Sequence, residues 1–241
     1  MNNKASNMGR LIRRQKAMTR MTHWLWAVSL FFLLLSGLQI FNAHPKLYLG
    51  HQSGFEFDNA ILELPEFPGT FTLPSTQDLA TGRAIHVFFA WILVITLAIW
   101  LVASLRNRHL RKDLLPNRKD ARNLMADVRD HMRLHFVHGV RYSPMQKLAY
   151  GGVLFVLFPL IIATGLCMSP GMNAILPWLP ELFGGRQSAR TVHFMVMVLL
   201  AAFFLVHMAM ILLAGPLNEL RSIITGYYRL SPNQKRNTGN V

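Results

Sequence analysis

TVHFMVMVLLAAFFLVHMAM, residues 191–210, is nearly pure hydrocarbon, yet it contains two histidines, His193 and His207. An imidazole in a lipid-facing stretch is costly, so each ring calls for a partner. The spacing of fourteen turns through roughly 1400° of α-helix, within about 40° of four full turns, and rises about 21 Å. Both rings therefore leave nearly the same helix face, at very different depths in a hydrocarbon layer about 30 Å thick.

The rest of the chain supplies a setting for such a helix. Of 241 residues, 52% are hydrophobic and 15% charged, and the mean hydropathy of +0.28 is high for a soluble domain. The apolar residues fall in blocks about 22–42, 84–105, 148–168 and 191–214, each long enough to span a bilayer. The first block follows a basic stretch, as a secretory signal would. It is longer than a signal core, and no small-residue cleavage site follows it, so it reads as the first membrane helix. The expected fold is an all-α, integral membrane four-helix bundle over 1–230 with a polar tail, 231–241. No internal repeat is detectable.

Charge orients the bundle. Residues 1–20 carry Lys4, Arg10, Arg13, Arg14, Lys16 and Arg20 and no acid, and 106–147 carries eleven Lys/Arg. By contrast, 43–82 has Lys46 against Glu56, Asp58, Glu63, Glu66 and Asp78. The positive-inside rule places both termini and the 106–147 loop in the cytoplasm, in a bacterial inner membrane. The net charge of +14 is thereby explained by topology, and no nucleic-acid partner is expected. The outer loop 43–83, rich in Pro and aromatics, reads as irregular packed structure. Within the inner loop, Leu124, Val128 and Met132 fall at i, i+4 and i+8, a short amphipathic helix lying against membrane lipids; LNELRSIITGYY, 217–228, suggests another.

Depth then pairs the membrane histidines. His23 follows Arg20 at the inner end of the first span, and His86 lies in the first turn of the second, at the outer end. His86 can meet His193 near the outside, and His23 can meet His207 near the inside. Two histidine pairs drawn from different helices suit two bis-imidazole haems. Cys167 is the single cysteine and there is no C-x-x-C-H, so the haems would be b-type. Arg20 on the inner side, and Arg83 and Arg190 on the outer side, supply charge for propionates. Gly37, Gly152 and Gly165 leave room for porphyrin edges.

A proton relay through the same histidines is the main rival, but the four spans contain no Asp or Glu. The methionines of the last span, Met195, Met197, Met208 and Met210, read as packing rather than thioether ligands. His131 and His135 have a metal-ligand spacing without a third ligand; His44 and His51 have no assigned role.

MTHWLWAVSLFFLLLSG (21–37), TGRAIHVFFAWILV (81–94), YSPMQKLAYGGVLFVLFPLIIATG (142–165) and HFMVMVLLAAFFLVHM (193–208) together resemble the dihaem cytochrome b, or gamma, subunit of respiratory formate dehydrogenases. The wider group holds the cytochrome b subunits of nickel–iron hydrogenases and thiosulfate reductases. The resemblance implies that His23 and His207 ligate an inner haem, and His86 and His193 an outer one. It also implies a quinone, menaquinone or ubiquinone, beside the inner haem at the start of the third helix, where Tyr142, Ser143, Gln146 and Lys147 stand. Pro144 starting a helix that these polar residues cap is the alternative there.

The resulting expectation is a respiratory-chain subunit carrying electrons across the membrane. It would link the quinone pool to a periplasmic-side oxidoreductase, molybdenum- or nickel–iron-dependent and carrying iron–sulfur clusters. The alternative is a stand-alone quinone oxidoreductase acting on a small oxidant such as superoxide.

Overall fold

The computed structural model describes residues 11–54, 59–107, 118–132 and 143–229. Tyr142, His109, His135, His138 and the tail 231–241 lie outside these. Among the described residues four helices are long and apolar enough to cross a membrane. They are α1 (Ala17–Asn42), α2 (Leu79–Arg106), α4 with α5 (Pro144–Gly152 and Phe158–Met168) and α8 (Arg186–Ala214). Each begins about one turn before the apolar block, because hydropathy marks only the part inside hydrocarbon. The first turns are polar: Asp78 caps α2, its Oδ1 accepting from Thr81 N at 3.0 Å. At the far end of α8, Gly215 adopts φ 99° and Pro216 opens the next helix, a Gly–Pro break that turns the chain across the end of the bundle expected to be the inner one.

The third span is not a uniform α-helix. Val153–Leu157 forms a π turn between α4 and α5. Pro159 lacks the N–H that would bond the carbonyl of Phe155, and its ring crowds that carbonyl, so the helix widens there.

The spans pack as two antiparallel hairpins, α1 on α2 and α5 on α8. Aromatic contacts bridge them: Phe41 stacks on Phe194 at 4.6 Å, and Trp26 meets Phe158 edge-on at 5.9 Å. The outward faces carry Leu25, Phe88, Ile95, Leu199 and Leu213, all exposed, outside the space between the hairpins and suited to lipid. Between the hairpins runs a continuous cavity of about 1950 Å³.

Both ends are closed by short elements that the sequence reading left unassigned. At the inner end, β1 (Leu11–Arg13) pairs antiparallel with β4 (Tyr227–Arg229), Leu11 opposite Arg229. Both Arg14 contacts to the Glu219 carboxylate are 3.1 Å, and its guanidinium lies 4.7 Å over the Tyr228 ring. The two amphipathic helices foreseen are present as α3 (Arg118–Met132) and α9 (Pro216–Thr225). Leu217, Leu220 and Ile224 form an exposed apolar face on α9, as an interfacial helix requires.

At the outer end, β2 (Lys46–Leu47) pairs with β3 (Leu62–Glu63), and the loop's main chain is held by hydrogen bonds to side chains at the helix ends. Asn42 exchanges two 2.8 Å bonds with Phe67, Gln39 Nε2 donates to Thr76 O at 2.7 Å, and Thr191 Oγ1 donates to Tyr48 O at 2.7 Å. The expectation of packed, irregular structure fits this loop. Short helices α6 (Pro170–Ile175) and α7 (Trp178–Glu181) fill the second outer connection.

Candidate functional site

The four membrane histidines meet as the depth argument pairs them. His86 and His193 have ring centroids 6.3 Å apart, and His23 and His207 likewise 6.3 Å. His86 and His193 each sit seven residues inside their helices, at 79 and 186, and His207 seven residues from the end of α8 at 214. Each therefore lies about 10 Å from a helix end. His86 is two turns into α2, deeper than the first-turn position expected.

The ring spacing discriminates between chemistries. Two imidazoles sharing a direct N–H···N bond of about 3 Å would have centroids about 5 Å apart. Two imidazoles bound to one metal, with bonds of about 2 Å each, would have centroids about 6 Å apart. Both pairs match the second case. Among the described residues no group of three His, Cys, Asp or Glu could hold a metal ion. A metal held by two protein nitrogens needs its remaining positions filled by something else, and a macrocycle does so. The surroundings fit one. A Cβ on Gly37 would lie 3.3 Å from Cε1 of His86, so glycine there lets the ring lie against α1 without displacement, and one on Gly165 would lie 3.4 Å from Cε1 of His193, in van der Waals contact with that ring. Gly152, expected to act similarly, has nothing within 4 Å of its Cβ position. The cavity passes both ring pairs and is lined mostly by apolar side chains, aliphatic and aromatic, with several methionines.

The outer pair has partners that sequence reasoning missed. Ser36 Oγ lies 3.1 Å from Nδ1 of His86, and Thr164 Oγ1 lies 3.0 Å from Nδ1 of His193. Phe203 stacks on His207 at 5.9 Å in the inner pair, whereas His23 Nδ1 is buried without a hydrogen bond among the described residues.

The arginines divide by role. Arg83 and Arg190 line the outer end of the cavity, joined by Arg186. Arg190 also donates through Nη1 to Lys46 O at 3.0 Å and through Nη2 to His44 O, so it fastens the outer loop as well. Arg20 lies outside the cavity lining, with Nη1 donating to Ile224 O at 2.6 Å at the end of α9. The cavity's inner mouth is instead lined by Arg14, Gln15, Asp127 and Glu219.

At the start of the third span, Ser143 and Gln146 form a reciprocal capping box. Ser143 Oγ accepts from Gln146 N at 3.2 Å, and Gln146 Oε1 accepts from Ser143 N at 3.1 Å. Both residues line the cavity. Lys147 Nζ is engaged with Asp120 Oδ2 at 2.9 Å and ties α3 to α4.

Four membrane helices packed around two pairs of half-buried imidazoles define a membrane cytochrome of the b type. The chain belongs to the prokaryotic cytochrome b561 family, whose sequence pattern matches residues 14–226. Haem b is therefore its cofactor, and electron transport through the membrane its class of work. A chain of Azospira oryzae (strain ATCC BAA-33 / DSM 13638 / PS), described as putative protein-methionine-sulfoxide reductase subunit YedZ1, is 30% identical over 202 residues. That similarity covers 80% of this chain and 87% of the relative. The formate dehydrogenase group suggested by the motifs is narrower than the family matched.

Proposed function

We propose that the chain is the haem-bearing membrane subunit of a two-part reductase, carrying electrons from quinol at the cytoplasmic face to an oxidoreductase docked outside. The observation that carries this reading is the pair of equally spaced imidazole couples, one near each end of a single cavity. The reductase character of the partner is supported by the relative's description, in place of a formate- or hydrogen-oxidising enzyme. Orientation rests on the cytoplasmic placement of the basic segments.

His23 with His207, and His86 with His193, would hold two haems b, which when bound supply one-electron carriers at two depths. The protein excludes water between them with an apolar lining and fixes the ligand rings. At the inner mouth, Gln146 uses Oε1 to cap the helix, which leaves Nε2 to donate to a quinone carbonyl. Lys147 serves the fold through Asp120 rather than the quinone, and Ser143 serves chiefly as the cap.

Gln146→Glu tests the quinone contact, since glutamate preserves the capping box but brings no N–H donor. The variant is expected to keep both haems and to slow stopped-flow reduction by a soluble menaquinol analogue by about fivefold, the worth of one net hydrogen bond. A haem-to-chain ratio at or below one in fully loaded wild type removes the two-site reading. Unchanged quinol kinetics in the variant removes the Gln146 contact.

A further inference from the structure

The two outer histidines are met in the same way by two different helices. In each hairpin, the first helix presents a hydroxyl followed by glycine, Ser36–Gly37 or Thr164–Gly165, against a histidine of the second. Each hydroxyl has one hydrogen, and it is already committed: Ser36 Oγ donates to Phe32 O at 2.6 Å, and Thr164 Oγ1 donates to Leu160 O at 2.8 Å. Toward the imidazole each hydroxyl can therefore only accept. The hydrogen between them must lie on Nδ1, which leaves the Nε2 lone pair as the free ligand. No such hydroxyl meets His23, whose Nδ1 is buried without a hydrogen bond among the described residues.

We infer that Ser36 and Thr164 are positioning residues that pin His86 and His193 as Nδ1–H tautomers and so hold the outer redox site at a lower potential than unpinned ligands would give. An imidazole that donates from its second nitrogen is a more basic ligand. A more basic ligand stabilises the oxidised metal, so both bonds act in the same direction. The redox part rests on the haem reading above; the tautomer part follows from the hydroxyl geometry.

The test uses the full chain carrying its haems, as wild type and as Ser36→Ala, Thr164→Val, Ser36→Thr and Thr164→Ser. The outer spectral component is identified as the one lost in His86→Ala. At a fixed poise, Ser36→Ala and Thr164→Val should each raise the reduced-to-oxidised ratio of that component about fivefold, the factor for one net hydrogen bond. The other component should stay put, and the Thr and Ser variants should track wild type. Loss of the outer component in Ser36→Ala with retention in Ser36→Thr supports the same role, because the hydroxyl rather than the volume is then what holds the ring. Unmoved ratios in both hydroxyl-free variants of a two-haem chain overturn this inference alone. Equal movement of both components does the same, and a chain with no haem at the outer pair overturns the functional reading with it.

Discussion

A methyl group at Gly37 would sit 3.3 Å from His86, close enough that the ring must yield by a few tenths of an ångström. Gly37→Ala should therefore keep the outer component with a shifted spectrum, while Gly37→Leu and Gly165→Leu should expel it and spare the inner one. Absorption spectra of membranes carrying each variant would show this, and loss of the inner component instead would misplace the pairs. His44, outside the spans, gives the outer loop a pH dependence. Burial chiefly, then the charges of Arg190 and Lys46, hold its pKa below the usual 6.5. The unfolded loop thus binds the proton more readily than the folded one. The clasp is at full strength above about pH 6.5 and weakens as pH falls through the folded value. Amide exchange at Ile61 and Leu64, which bond Leu47 O and Pro45 O, should speed up at pH 5 after correction for intrinsic rates. His44→Gln should abolish the difference.

Among the elements, α3 is held to α4 by a largely buried pair, since Lys147 is 9% exposed and its ammonium lies 2.9 Å from Asp120, and by Met145 N, which donates to Asp127 Oδ2 at 2.9 Å. Lys147→Met should loosen α3, at a cost of about 3 kcal/mol for breaking a buried pair from one side. Asp120→Asn combined with Lys147→Met should recover part of this. Hydrogen exchange over 118–132 reads both, and equal protection in wild type and Lys147→Met would refute the tie. The spans themselves were legible because apolar blocks of bilayer length have few other uses. The histidine pairs were legible because helical rise converts sequence separation into depth. Ser36 and Thr164 were not, since small hydroxyl residues are common in membrane helices and only a facing ring gives them a role. Lys147 stood beside candidate quinone ligands, and its partner lies twenty-seven positions away in a loop that no periodicity connects to it. The strands β1–β4 escaped notice because two or three residues carry no readable alternation.

For the whole molecule, the charge pattern predicts that reporters fused within 43–54 or 169–185 are active only outside the cytoplasm, and reporters within 118–132 only inside. The reverse pattern would invert the direction of electron flow. Two helical hairpins enclosing one cavity also explain why no tightly packed centre is needed. Cys167, Leu179 and Ala189 form a small cluster near the outer end, and Trp100 another among aromatic neighbours. The space between the hairpins is the cavity that both imidazole pairs line.

The ribbon joining residues 11–13 to 227–229 sets an order of assembly. Ribosomes deliver the N-terminal part first, and its strand must wait for a partner made more than two hundred residues later. His86, by contrast, finds Ser36 within the first hairpin and can be oriented before the second exists. A nascent chain therefore passes through a stage in which the Ser36–His86 contact can form while the strand at residues 11–13 still lacks its partner.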